Sequence, residues 1–205
     1  MKRIISIAVF ALACATLFAQ TPKEIVEKMF AEMDRGNIKG FSMDLNMKMP
    51  IVGLVRSHNL VLGDKMKSTV TTSDKTSTSW ADATTKWTYD STSGEIAVEN
   101  NTPSSSNNQE GKAFEQISDG YDFVLQKETD DAWYILCNKS KSNMNKDDAK
   151  KIDLVVSKAT YLPVSLKTKS LLFTVSIENY ALGVSEESVT FDPAAYPDAR
   201  IVDKR

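Results

Sequence analysis

The stretch from Phe41 to Ile51 constrains this chain most. Phe41, Met43, Leu45, Met47, Met49 and Ile51 alternate with Ser42, Asp44, Asn46, Lys48 and Pro50. Period-two alternation is what a β-strand needs when one face is dry and the other wet, because successive side chains point to opposite faces. Three of the dry residues are methionines, whose unbranched thioethers fill irregular space and re-pack around partners of varying shape. On residue type alone two readings stay open: an ordinary packed core, or the wall of a cavity for something greasy and variable such as acyl chains.

Ahead of this stretch, Lys2 and Arg3 precede an apolar run from Ile4 to Phe18 and the small residue Ala19. That is the layout of a secretory signal peptide, expected over 1–19, with the remainder, 20–205, as a single domain in the periplasm. Cys14 offers lipidation as an alternative, although Ala11 stands where a lipobox carries Leu. With the signal removed, Cys137 is the sole cysteine and no internal disulfide can form. Among Trp133, Tyr134, Ile135 and Leu136 it reads as a small buried hydrophobe. The 25 basic and 27 acidic residues leave a net charge of −2 and are mixed along the chain, unlike the basic footprint of a nucleic-acid binder.

Thr21-Pro22 followed by Ile25, Val26, Met29, Phe30 and Met33 has the spacing of an amphipathic helix ending near Gly36. Strand signals then dominate. Leu60 and Leu62 lead into a Gly63-Asp64 turn, and Met66, Ser68 and Val70 alternate. Trp87 pairs with Tyr89, and Ser93-Gly94 turns into Ile96 and Val98. After a polar loop over 100–108 and a short helix over 109–117 anchored by Phe114 and Ile117, strands resume. Phe123 goes with Leu125, Trp133 with Ile135, Leu154 with Val156, Val164 with Leu166, and a run follows through Leu171, Phe173, Val175 and Ile177. Asn143 to Lys150 reads as a charged tip. Short strands joined by turns, with one helix in front and one insertion midway, predict an α+β chain. Its body is a strongly curved antiparallel sheet forming an incomplete barrel.

Chemistry-bearing motifs are missing. The lone histidine, His58, is expected just before a strand and rules out multi-His metal sites. Neither Cys-x-x-Cys, Gly-x-Ser-x-Gly nor a phosphate-cradling glycine loop occurs. The acidic pairs Asp130-Asp131, Asp147-Asp148 and Glu186-Glu187 fall at expected turns, where solvated carboxylates are ordinary. The expectation is a protein that is not an enzyme and uses no metal or cofactor.

The segment Ser79 to Asp90, with its turn and Trp87-Thr88-Tyr89-Asp90, resembles a hairpin of the periplasmic outer-membrane lipoprotein carriers, the LolA-like family. Asp122-Phe123-Val124-Leu125 resembles the strand that follows the family's lid insertion. Val189-Thr190-Phe191-Asp192-Pro193, with the tail Arg200 to Arg205, resembles the family's closing segment. The three matches come in the family's order, and the resemblance as a whole covers nearly all of the expected mature chain.

The resemblance implies a barrel whose concave apolar face holds acyl chains, with the N-terminal helix as plug and the insertion as lid. It implies a carrier, expected as a monomer. Such a carrier accepts an acylated lipoprotein from an inner-membrane ABC transporter and hands it to an outer-membrane acceptor. Each buried methylene is worth about 0.8 kcal/mol, so several chains crossing water unescorted would cost on the order of tens of kcal/mol. By strand parity the expected cavity wall is Met43, Leu45, Met47, Met49, Leu60, Leu62, Trp87, Phe123, Leu125, Phe173 and Val175, with Phe114 and Ile117 in the lid. Where the family has an Arg that ties the lid shut, this chain offers Lys65 or Lys67, which lack the bidentate fork. The alternatives are an outer-membrane-anchored receptor of the same fold and a non-carrier barrel that senses lipid or binds protein.

Overall fold

A computed structural model describes residues 20–35, 39–51, 53–101, 120–146, 148–169 and 173–205. The expected signal peptide with Cys14, and the lid residues Phe114 and Ile117, lie outside the described residues.

Helix α1 (Pro22–Asp34) is closed at its start by a capping box. The Glu24 backbone N–H donates to Thr21 Oγ1 at 3.3 Å, and the Thr21 N–H donates to Glu24 Oε2 at 2.7 Å. Two donors that helix geometry orphans are thereby satisfied, and Pro22 costs nothing at a position whose N–H has no partner anyway. The helix buries Ile25, Val26, Met29 and Met33 on one side.

Among the described residues, twelve strands join one curved, unclosed sheet. They are β1 (Phe41–Met49), β2 (Gly53–Leu62), β3 (Lys65–Thr71), β4 (Thr76–Ala81), β5 (Thr85–Asp90), β6 (Glu95–Asn100), β7 (Tyr121–Glu128), β8 (Ala132–Lys139), β9 (Lys151–Ser157), β10 (Pro163–Lys169), β11 (Thr174–Leu182) and β12 (Arg200–Asp203). Their spatial order is β12-β6-β5-β4-β3-β2-β1-β11-β10-β9-β8-β7, so β12 and β7 are left as edges and the barrel is incomplete.

Several local expectations change. The first strand stops at Met49: Pro50 cannot donate to the ladder, and Ile51 projects into solvent at 98% exposure. His58 lies inside β2, since Gly53 starts that strand earlier than expected. A register shift between Pro163 and Ser165 breaks the shared parity of Val164 and Leu166 and leaves Val164 exposed. The charged tail is partly a strand: β12 runs parallel to β6, the one departure from an antiparallel sheet among the described strands. Arg200 pairs with Glu95 and Lys204 with Glu99 along that edge.

The two ends of the sheet are buried on opposite faces. At the β7–β10 end, α1 covers Tyr121, Ile135, Cys137, Ile152, Leu154 and Val156. Burial there pushes the Tyr121 phenol up to about 12, while its O–H donates to the Ala149 carbonyl at 2.6 Å; the Cys137 thiol rises to about 12 for the same reason. At the β4–β6 end the chain after β11 crosses the other face as a strap. Its short helix α2 (Glu186–Val189) lies against β2 and β3. Phe191 then stacks on Trp87, with ring centroids 5.4 Å apart, and Tyr196 packs on Trp80 and Tyr89. The strap leaves the sheet through a tight crossing at Gly40, whose φ is +72°. A Cβ there would lie 2.7 Å from the Val61 carbonyl and 2.8 Å from Val184 Cβ, so only glycine fits.

Candidate ligand-binding face

Residues directly opposite one another on paired strands share a face of the sheet. One row therefore runs across it: Leu125, Ile135, Leu154, Leu166, Ile177, Leu45, Ser57, Val70, Ser77. A parallel row contains Phe123, Cys137, Ile152, Thr168, Val175, Met47 and Val55. The first passes through the helix-covered core at Ile135 and Leu154, the second at Cys137 and Ile152, and both leave it along the same face.

Along the middle strands this face carries no charge. Asp44 and Lys48 of β1, Arg56 and His58 of β2, Lys65 and Lys67 of β3, Glu178 of β11, and Lys167 and Lys169 of β10 all fall on the opposite face. β4 has no ionisable residue. A face that met water alone would be expected to carry some of these charges. Yet β1, β2, β3 and β11 contain no fully buried side chain; Met43, Leu45, Met47 and Met49 are each partly buried. Completing their burial would release on the order of 1.5–3 kcal/mol, taking each as about a quarter exposed and about 1.5–3 kcal/mol for a whole side chain.

The expected wall divides accordingly. Met43, Leu45, Met47, Met49, Phe123, Leu125 and Val175 share the charge-free face. Leu125 lies on edge strand β7 and is exposed, as is Phe173, just ahead of β11. Leu60, Leu62 and Trp87 are corrected to the opposite face: Leu60 stands in the row Ser42, Leu60, Lys67, Trp80, Trp87 and Val98. They serve the strap. Lys65 and Lys67 are also on that side. Lys65 Nζ lies 2.5 Å from Glu186 Oε1, and the pairing holds Lys65 above the usual lysine range. Lys67 Nζ sits 5.5 Å from the centre of the Trp80 ring. Neither lysine faces the stripe it was expected to gate.

Residue type had not pointed to the other half of the charge-free face. Beside the apolar stripe, β2 to β5 present Ser57, Asn59, Ser68, Ser77, Ser79 and Thr88. Ser57 Oγ and Ser68 Oγ both donate to Asn59 Oδ1, at 2.9 and 2.8 Å. The signal available in the sequence was the confinement of charge to alternate positions, which shows only when neighbouring strands are put in register.

On the opposite face His58 Nδ1 lies 2.6 Å from Asp44 Oδ1, and Asn179 Nδ2 donates to Asp44 Oδ2 at 2.7 Å. The Asn179 and His58 hydrogen bonds, in that order of size, hold the Asp44 carboxyl below the usual carboxylate range. No hydroxyl or thiol is hydrogen-bonded to His58 among the described residues, so this is the orienting half of a triad without a nucleophile. No group of three or more His, Cys, Asp or Glu is placed to hold a metal among the described residues.

No protein-family model matches the chain, and no curated protein matches it. Solved structures do. An uncharacterised conserved protein of Thermus thermophilus is similar over 87% of this chain and 98% of its own, at 10% identity and a TM-score of 0.48. A LolA superfamily protein of Nitrosomonas europaea is similar over 86% and 100%, at 11% identity and a TM-score of 0.32. MucB of Pseudomonas aeruginosa, solved with MucA, is similar over 82% of this chain and 61% of its own, at 11% identity and a TM-score of 0.41. The LolA superfamily, expected from the hairpin and closing segment, is thus among the structural neighbours. At these identities the likeness is one of fold alone.

Proposed function

We propose that this chain is a periplasmic carrier that shields the acyl chains of lipoproteins on the charge-free face and shuttles them from the inner to the outer membrane. The donor would be an inner-membrane ABC transporter and the recipient an outer-membrane acceptor, with no chemical step in between. The observation that carries this reading is the partly buried Met43–Met49 stripe. It lies on a face cleared of charge and continues into the dry core under α1, while the protein's own packing leaves its burial unfinished. A carrier needs such a surplus of modest size, because cargo must leave as well as bind. Thioether side chains suit cargo of variable shape. Helix α1 is assigned the role of plug, closing the trough at its β7–β10 end.

The test is native mass spectrometry with lipid extraction on protein purified from the periplasm without detergent. The wild type is expected to carry acyl chains or to take up a triacylated peptide. Leu45→Glu and Met47→Glu should abolish this while remaining folded, and Asn46→Ser, on the wet face, should not. A clean apo mass with no uptake would return the stripe to plain sheet packing.

A further inference from the structure

Resting on that reading of the stripe, we infer that the strip formed by Ser57, Asn59 and Ser68 is a headgroup subsite. It selects an uncharged acylglycerol over an anionic phospholipid. Serines on a sheet are unremarkable, but asparagine is depleted from strands, and Asn59 sits within β2, part-buried, on the charge-free face. Its carbonyl is saturated by the Ser57 and Ser68 hydroxyls at 2.9 and 2.8 Å, whereas among the described residues its amide reaches only the Ser57 carbonyl, at 3.4 Å. An amide has two N–H donors, so at least one is left to the trough. Each serine spends its proton on Asn59 and keeps lone pairs to accept from a ligand. The cluster therefore offers donors and acceptors for hydroxyl and ester groups without any charge.

Register places this strip beside the apolar stripe near its Met43 end: Asn59 lies opposite Met43 and Ser57 opposite Leu45, with Phe41, Val61 and Met66 beyond them on the same face. From Met43 to Met49 the stripe runs roughly 20 Å at about 3.4 Å per residue. That exceeds the ~15 Å hydrocarbon depth of one bilayer leaflet. An acyl chain laid toward Met49 would leave its glycerol over Asn59. A phosphate there would find no cation on the middle strands: charge returns to this face only on β5, β6 and β12, where Arg200 and Lys204 are already paired with Glu95 and Glu99, leaving Asp90 and Lys86. A part-buried anion with no cation to pair it is penalised by lost hydration.

Isothermal titration of the full protein with dioctanoylglycerol and with dioctanoylphosphatidylglycerol, each below its aggregation threshold, tests this. The neutral lipid is expected to bind at least tenfold more tightly, and Ser68→Lys should shift the ratio at least tenfold toward the anionic one. Asn59→Leu, similar in volume but without the donor, should weaken only the neutral lipid, by at least fivefold, and covers the case in which Ser68→Lys does not fold. Equal affinity for the two lipids, or ratios unmoved in the folded variants, would overturn the headgroup subsite and leave the acyl stripe standing. No binding of either lipid would overturn both.

Discussion

Leu45 stands directly opposite Ser57 across the β1–β2 ladder, and between them the charge-free face changes from apolar to hydroxyl-lined. The β1 side continues through Ile177 and Leu166 into the helix-covered core, and the β2 side continues through Val70 to Ser77. The stripe is thus an extension of the core that its own protein covers only in part.

Truncation should separate the two kinds of apolar residue. Leu154→Ala, in the closed core, is expected to cost about 2–5 kcal/mol, whereas Met47→Ala should cost less, under about 2 kcal/mol, because its side chain is only partly buried. Urea unfolding of both variants measures the difference. Equal losses would mean that Met47 is ordinary core.

Gly40 and Gly63 both have positive φ, +72° and +60°, but only Gly40 lies against other atoms where a Cβ would go. Gly63→Ala should cost about 1 kcal/mol for the left-handed backbone. Gly40→Ala should lose clearly more, of order 3 kcal/mol, because the Val61 carbonyl and Val184 must also move. Thermal unfolding of the pair would show this.

Phe191→Ala should free the strap from Trp80 and Trp87, with a loss of about 2 kcal/mol for a half-buried aromatic and its ring contacts. It should also shift tryptophan emission to the red. Acyl binding should be unaffected, since the strap and the stripe occupy opposite faces. A parallel loss of lipid binding would show that the two faces are coupled.

The Asp44 carboxyl is held low by Asn179 and His58. A folded-state value below the unfolded one stabilises the protein above about pH 4, and this contribution is lost as pH falls through the folded value. Asn179→Ala should move the Asp44 midpoint upward in a carbon-detected NMR titration. Asp44→Asn should flatten the acid limb of the stability profile below about pH 4.

Much of the strand content was legible because alternation and turn chemistry are local. The Phe41–Met49 pattern, the Gly63-Asp64 turn and the Trp87–Tyr89 pair each identify their element without help from distant residues. The candidate site was legible in half. Met43 to Met49 share the charge-free face, but Leu60, Leu62 and Trp87 have the same alternation and face the other way.

The sequence by itself determined the alternation of apolar and polar residues along most strands, and that charge on β1, β2, β3, β10 and β11 is confined to alternate positions. It did not determine which side of the sheet each dry set faces, because alternation is symmetric: a strand reads the same with either face buried. Tertiary structure decided that when it placed α1 over one face at the β7–β10 end and the Phe191–Tyr196 strap over the other face at the β4–β6 end. With its ends buried on opposite sides, the sheet leaves its middle strands charge-free on one face and only partly buried.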